Sequence, residues 1–159
     1  MSVPAPPPPP PDGPRPPVPK PVPKPTPDTL PFWEGAAAGE LRVQRCTACA
    51  RHYFYPRPAC PRCGSQDVEW VATGGRATLY SYVISHRPAP GFEHEGPYAI
   101  AVVELEEGVR MMTNIVNVEA TPENLVLDMP LRVVFEERGG VRLPLFEPAY
   151  EPAAEAAEG

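Results

Sequence analysis

Cys46-Thr-Ala-Cys49, ten intervening residues, then Cys60-Pro-Arg-Cys63-Gly64 is the stretch on which the reading of this chain turns. Two-residue spacing lets a tight turn aim both sulfurs at one point. A second such turn opposite completes a tetrahedron, with each sulfur about 2.3 Å from a metal ion. The residue after the second cysteine of each turn must tolerate a left-handed backbone, which Gly64 does readily and Ala50 less well. Soft thiolates also suit iron or a small iron–sulfur centre, but the set is read as zinc held by Cys46, Cys49, Cys60 and Cys63. Two disulfides are the competing account. The first residues carry no apolar export segment, so a reducing, cytoplasmic setting and metal ligation are expected instead. Four cysteines close the coordination sphere and leave no place for an activated water, so the metal is read as structural.

Working outward from the cysteines, the pattern on the C-terminal side turns to strands. Val68–Thr73, Ala77–Ser85, Tyr98–Leu105, Val109–Val116, Leu131–Glu137 and Val141–Phe146 are rich in β-branched and aromatic residues. Gly74–Gly75, the Pro88 to Gly91 run, Glu107–Gly108 and Gly139–Gly140 punctuate them. Thr121-Pro-Glu starts one helical turn between the fourth and fifth strands. Five or six short strands with one interposed turn suit a small closed barrel of OB type, with an open sandwich as the alternative. On the N-terminal side, Thr29 reads as a helix cap with Pro31 in the first turn, and the apolar residues that follow carry the helix to about Leu41.

Proline is concentrated at one end. Of 159 residues 27 are proline, and 15 of these fall in residues 1–27, a stretch with almost nothing to bury. It reads as a disordered spacer of polyproline II character rather than as an SH3-type ligand, extending about 80 Å if fully stretched. A tether at the start of a chain suggests the C-terminal part of a longer, two-domain protein. The organisation expected is therefore a linker over 1–27, a helix over 28–41, a ribbon over 42–66, a barrel over 67–147 and an acidic disordered tail over 148–159.

The net charge is −6, and both lysines, Lys20 and Lys24, lie in the proline segment. Arg42, Arg45, Arg51, Arg57, Arg62 and His52 surround the cysteines; they are read as compensation of thiolate charge, with an anion site as the alternative. No apolar run approaches the roughly 20 residues that span a bilayer. With every cysteine committed to metal and no lysine in the folded part, a thiolate nucleophile and a Schiff base are both excluded. No nucleophile elbow, zinc-protease or phosphate-loop motif is present, so no catalytic residue is assigned. A zinc ribbon with an OB-like barrel is also an architecture for single-stranded nucleic acid, and Tyr80, Tyr82, Phe92 and Tyr98 are candidate stacking residues. The acidic total and the lack of arginine–aromatic interleaving speak against it.

Further motifs carry a family resemblance. Pro31-Phe-Trp-Glu-Gly35, Gln44-Arg-Cys46, Tyr55-Pro56-Arg57, Leu79-Tyr-Ser81, His86-Arg-Pro-Ala-Pro-Gly-Phe92, Pro97-Tyr98, Glu104-Leu-Glu-Glu-Gly108, Thr113-Asn114, Met129-Pro130 and Val134-Phe-Glu136 follow in one order. Over about residues 30–147 the chain resembles a family long catalogued as domain of unknown function thirty-five. Ala50 and Asp128 stand where that pattern has glycine. The resemblance implies a rubredoxin-like zinc ribbon followed by an OB fold. It also implies a non-catalytic partner of thiolase-superfamily enzymes, with the sterol-carrier-type aldolase of steroid side-chain degradation as the favoured partner. Some relatives are joined to a MaoC-like hydratase, whose linker the proline segment would be. Arg87, Pro88, Gly91, Phe92 and Tyr98 are the candidate contacts to partner or coenzyme A, because Arg87 offers charge and Phe92 an apolar anchor on a stiff loop.

Overall fold

Thr29 and Pro31 begin the first element where the sequence places it. The structure, a computed structural model, describes residues 18–150. Helix α1 runs Leu30–Ala37 with Thr29 as its cap residue. The cap hydroxyl does not reach forward. It bonds back into the preceding turn, accepting from the Thr26 N–H at 2.9 Å. The helix stops short of Leu41 because Gly39 takes a left-handed φ of 79°. Its N–H then donates to Ala36 C=O at 3.1 Å and the Glu40 N–H to Gly35 C=O at 2.8 Å, a Schellman closure. Leu41 starts the next segment and is buried there.

Strands β1 (Arg42–Cys46), β2 (His52–Tyr53) and β3 (Val68–Ala72) form a three-stranded antiparallel sheet in the order β2-β1-β3. The strand expected over Val68–Thr73 thus belongs with the ribbon, pairing Val43 with Val71 and Gln44 with Trp70, and not with the barrel. Local sequence marks a strand but not its partner, which here lies about 25 residues away and is chosen by burial of Val43 against the common core.

The barrel is closed, five-stranded and ordered β4-β5-β6-β8-β7. Its strands are β4 (Arg76–Ser85), β5 (Tyr98–Leu105), β6 (Arg110–Ile115), β7 (Pro130–Arg138) and β8 (Val141–Pro148). Strict alternation along β5 sends Ala99, Ala101, Val103 and Leu105 inward. In β4 a bulge at Tyr80 breaks the register between Leu79 and Ser81. That one extra residue switches parity, so Leu79 packs inward before it and Tyr82 and Ile84 after it. Three β4–β7 pairs and the parallel Ile115–Phe146 contact close the ring. The expected turn at Thr121 is a single hydrogen-bonded turn, from which buried Leu125 enters the core.

Phe32, Leu41 and Val43 share one hydrophobic cluster with Leu79, Val103, Leu125 and Phe146 of the barrel. Helix, ribbon and barrel are therefore sealed by the same apolar contacts. Thr73 fixes the junction, its N–H and hydroxyl both donating to Leu41 C=O at 2.8 and 2.9 Å.

Of the linker expected over residues 1–27, residues 1–17 lie outside the described residues. Residues 18–27 have no regular structure yet lie along the barrel. Lys20 pairs with Glu95 and reaches Glu136 at 3.9 Å, and Val22 packs at Gly139. Few apolar side chains lie in this stretch, but apolar burial is not the only thing that orders a chain. Proline has no N–H to satisfy and a fixed φ, so ordering such a stretch costs less than its composition suggests.

Candidate functional site

The first cysteine knuckle forms at the end of β1 and the second in the loop between β2 and β3. Cys46 closes β1, and its N–H donates to Arg51 C=O at 2.9 Å across the first turn. Cys60 opens the second turn, its N–H donating to Ser65 C=O at 2.8 Å. The residues after each second cysteine are left-handed as expected: Ala50 has φ 57° and Gly64 φ 74°. Between the knuckles, buried Gln44 accepts from the Arg57 N–H at 2.7 Å, and the Tyr53 hydroxyl donates to Arg57 C=O at 3.4 Å. Tyr53, Cys46 and Cys60 make a small buried cluster of their own, with Val68 against it. Strand β2, which ends in Tyr53, was not marked in the sequence; only the His52-Tyr53 pairing with Gln44 and Arg45 reveals it.

The four sulfurs converge. Cys46 Sγ and Cys63 Sγ are 3.6 Å apart, Cys49 Sγ and Cys60 Sγ 3.7 Å, and all four lie within 4.8 Å of one another. A tetrahedron with metal–sulfur bonds of about 2.3 Å has edges of about 3.8 Å, so the donor set fits a tetrahedral ion that prefers sulfur. Cys46 and Cys60 are buried, Cys49 and Cys63 exposed. Their acidities diverge. The backbone N–H of Cys63, ahead of that of Arg62, holds the Cys60 thiol down at about 6 against the raising effect of its burial. For Cys63 the Ser65 N–H pulls downward, but the neighbouring Cys46 sulfur, burial and then Cys49 and Cys60 outweigh it and push the thiol to about 11. Four sulfurs this close cannot all ionise without a cation among them.

The arginines around the ribbon divide into two groups. Arg42 pairs with Glu40 at 2.9 Å and Arg45 with Glu69 at 2.9 Å. Arg51 and Arg62 line an open cleft with His52 and Glu107. Glu107 accepts from the Gly74 N–H through one oxygen and keeps the other buried without a partner. That acid weighs against reading the cleft as an anion site.

The loop between β4 and β5 gathers the remaining candidates. The Phe92 and Tyr98 rings stack at 5.3 Å, and the Ala89 N–H donates to the Tyr98 hydroxyl at 3.5 Å. Arg87 is exposed, its carbonyl accepting from the Ser85 hydroxyl at 3.0 Å. Pro88 is half-buried. Phe92 is not a bare anchor, because Lys20 Nζ lies 4.9 Å and the Arg138 guanidinium 5.5 Å from its ring centre. Gly91 abuts the Lys20 backbone. Of the candidate stacking aromatics, Tyr82 packs on the core and Tyr80 faces out beneath the Arg110 guanidinium, 3.6 Å away. Among the described residues no helix is long and apolar enough to cross a membrane.

Two family profiles cover most of the folded region. The ChsH2 rubredoxin-like zinc ribbon domain matches residues 33–69 and the ChsH2 C-terminal OB-fold domain residues 70–136. The chain is 40% identical over 121 residues to a probable enoyl-CoA hydratase alpha subunit of Thermomonospora curvata. It is 38% identical over 123 residues to the 3-oxo-4,17-pregnadiene-20-carboxyl-CoA hydratase alpha subunit of Mycobacterium tuberculosis. These matches cover 74% and 76% of this chain but only 37% and 38% of the relatives. Among solved structures, a chain of the Ltp2-ChsH2(DUF35) aldolase superposes with a TM-score of 0.71 at 37% identity, covering 81% of this chain and 100% of that one.

Proposed function

The chain belongs to the DUF35 family of zinc-ribbon and OB-fold proteins, and on that premise we propose that it is a non-catalytic accessory subunit of an acyl-CoA aldolase. The partner is a thiolase-superfamily subunit that carries the reacting groups. The observation that carries this reading is the similarity along the whole length of the DUF35 chain of an aldolase complex. The lack of a nucleophile or base constellation in the sequence agrees with it.

In the reaction proposed, the partner's base removes the proton of the β-hydroxyl of a β-hydroxyacyl-CoA. The Cα–Cβ bond breaks, a ketone forms at Cβ, and the electron pair passes to the thioester enolate, which is protonated and leaves as propionyl-CoA. The steroid side chain is the substrate class suggested by the pregnadiene-carboxyl-CoA name of one relative. A hydratase in the same complex would supply the β-hydroxyl by adding water to the enoyl-CoA.

The four-cysteine centre takes zinc, which holds the ribbon in place and does no chemistry on substrate. The ribbon and loop act on the partner by burying its loops and fixing its catalytic groups. Of the candidate contacts Arg87, Pro88, Gly91, Phe92 and Tyr98, exposed Arg87 is the one proposed to meet the partner, since Lys20 lies against Gly91 and Phe92.

The test mixes the purified chain with a candidate aldolase subunit and follows retro-aldol cleavage of a β-hydroxyacyl-CoA. Cleavage is expected only with both chains present. An aldolase equally active without this chain overturns the accessory role. Salt-sensitive retention of a single-stranded oligonucleotide, with no effect on the aldolase, would favour the nucleic-acid reading instead.

A further inference from the structure

Residues 18–25 read Val-Pro-Lys-Pro twice over, and only the first copy meets the barrel through its lysine. Around Lys20 the barrel supplies four matched features. The ammonium lies over the Phe92 ring at 4.9 Å and pairs with Glu95, while Glu136 stands at 3.9 Å. The Lys20 backbone runs so close to Gly91 that a Cβ added there would lie 2.9 Å from both its N and Cα atoms. Two residues on, the Val22 side chain fills the space at Gly139, where an added Cβ would lie 2.6 Å from it. Tyr98 stacks on the Phe92 ring, and Arg138, itself held by Glu136 at 2.8 Å, lies 5.5 Å from the centre of that ring.

We propose that the barrel carries a binding groove for an extended, lysine-bearing proline segment, made by Gly91, Phe92, Glu95, Glu136 and Gly139, and that residues 18–25 are its ligand in cis. The chemistry of each part suits that ligand. An aromatic face with two carboxylates accepts an ammonium, as cation–π and ionic attraction act together on one group. Two glycines admit backbone and a branched side chain at close range. A proline-rich strand brings fixed φ angles and no unsatisfied N–H groups, so it docks at low entropic cost.

The register is set from the other end. Thr26 and Thr29 close a turn through the Thr26 N–H and the Thr29 hydroxyl, and Pro25 lines a hollow with Trp33 and Gly140. This anchor places Lys20, and not the chemically identical Lys24, at Phe92. The groove thereby fixes where residue 18 stands on the barrel, so the segment behaves as a strap and not as a free tether. It also assigns Phe92 to the strap and leaves Arg87 open beside it.

Lys20 and Lys24 are the only lysines in the chain, which gives a clean probe. Reductive methylation with carbon-13 formaldehyde labels both without removing their charge. In the full, metal-loaded chain, the Lys20 methyl signal should lie upfield of Lys24 from the Phe92 ring current and show an Overhauser contact to that ring. In Phe92→Leu the Lys20 signal should move to the Lys24 position, and Glu95→Gln should displace it while Lys24 stays still. Gly91→Ala should merge the two signals by expelling the strap. Two coincident lysine signals in the unmutated chain, with no contact to Phe92, overturn the proposal without recourse to any variant. So does a resolved Lys20 signal that Phe92→Leu and Gly91→Ala both leave in place.

Discussion

Ala50 occupies the same position in the first knuckle that Gly64 occupies in the second, and the two are a built-in comparison. Both are left-handed, at φ 57° and 74°. A non-glycine residue in that region costs roughly 1–2 kcal/mol. Glycine returns part of that through its greater freedom in the unfolded chain, roughly 0.5–1 kcal/mol. Ala50→Gly should therefore stabilise the ribbon by about 0.5–1 kcal/mol net. Gly64→Ala should cost the same amount with no steric addition, because nothing lies within 4 Å of the added Cβ. Folding of the ribbon and metal binding are linked, so the difference appears in metal affinity. At a factor of ten per 1.4 kcal/mol, Ala50→Gly should bind zinc about 2- to 5-fold more tightly and Gly64→Ala that much more weakly. Competition against a chromophoric chelator at constant pH reads both. The doubly swapped chain should return close to the starting affinity. A Gly64→Ala chain with unchanged affinity, or an Ala50→Gly chain that binds more weakly, would refute the strain argument.

Three further outcomes are expected. Elemental analysis should find one zinc per chain, and chelation should lower the melting temperature of the whole molecule in a single transition, because Leu41 and Val43 of the ribbon side share the barrel core; a barrel transition unmoved by chelation would contradict this. Glu147 is held below the ordinary 4.5 of a glutamate, first by the Asn117 side-chain amide and then by Arg132. Its contribution is therefore present above about pH 4.5 and lost as pH falls through the lower folded value. The melting-temperature gap between the native chain and Glu147→Gln should accordingly be largest near neutrality and shrink in acid, and a gap that widens in acid would show the sign to be wrong. Leu125, 1% exposed, should cost about 2–5 kcal/mol on truncation to alanine, read by urea denaturation at unchanged slope.

What the sequence disclosed follows the range of the interactions involved. The knuckles were legible because two-residue spacing and the left-handed positions are local. The barrel strands were legible because alternation in β5 is written residue by residue. Gly39 carried the helix stop, and a count of apolar residues to Leu41 overran it. The sheet to which β3 belongs was not legible, since β1 and β3 meet only after the cysteine turns have folded. Least visible was the seat of Lys20. Its partner Glu95 is 75 residues away, and no periodicity announces an ion pair across that interval. Asp128 was marked by its departure from a family glycine, and it does take a positive φ of 65°.

The border between the two family profiles, at residues 69 and 70, falls inside β3. A cut there would split a strand and strip Phe32, Leu41 and Val43 from the side chains that cover them. The two halves are separate words in sequence but a single syllable in physics. Gene fusion or fission would have to carry them together, and a lineage that lost its cysteines would have to find another cover for the barrel core that Leu41 and Val43 now share.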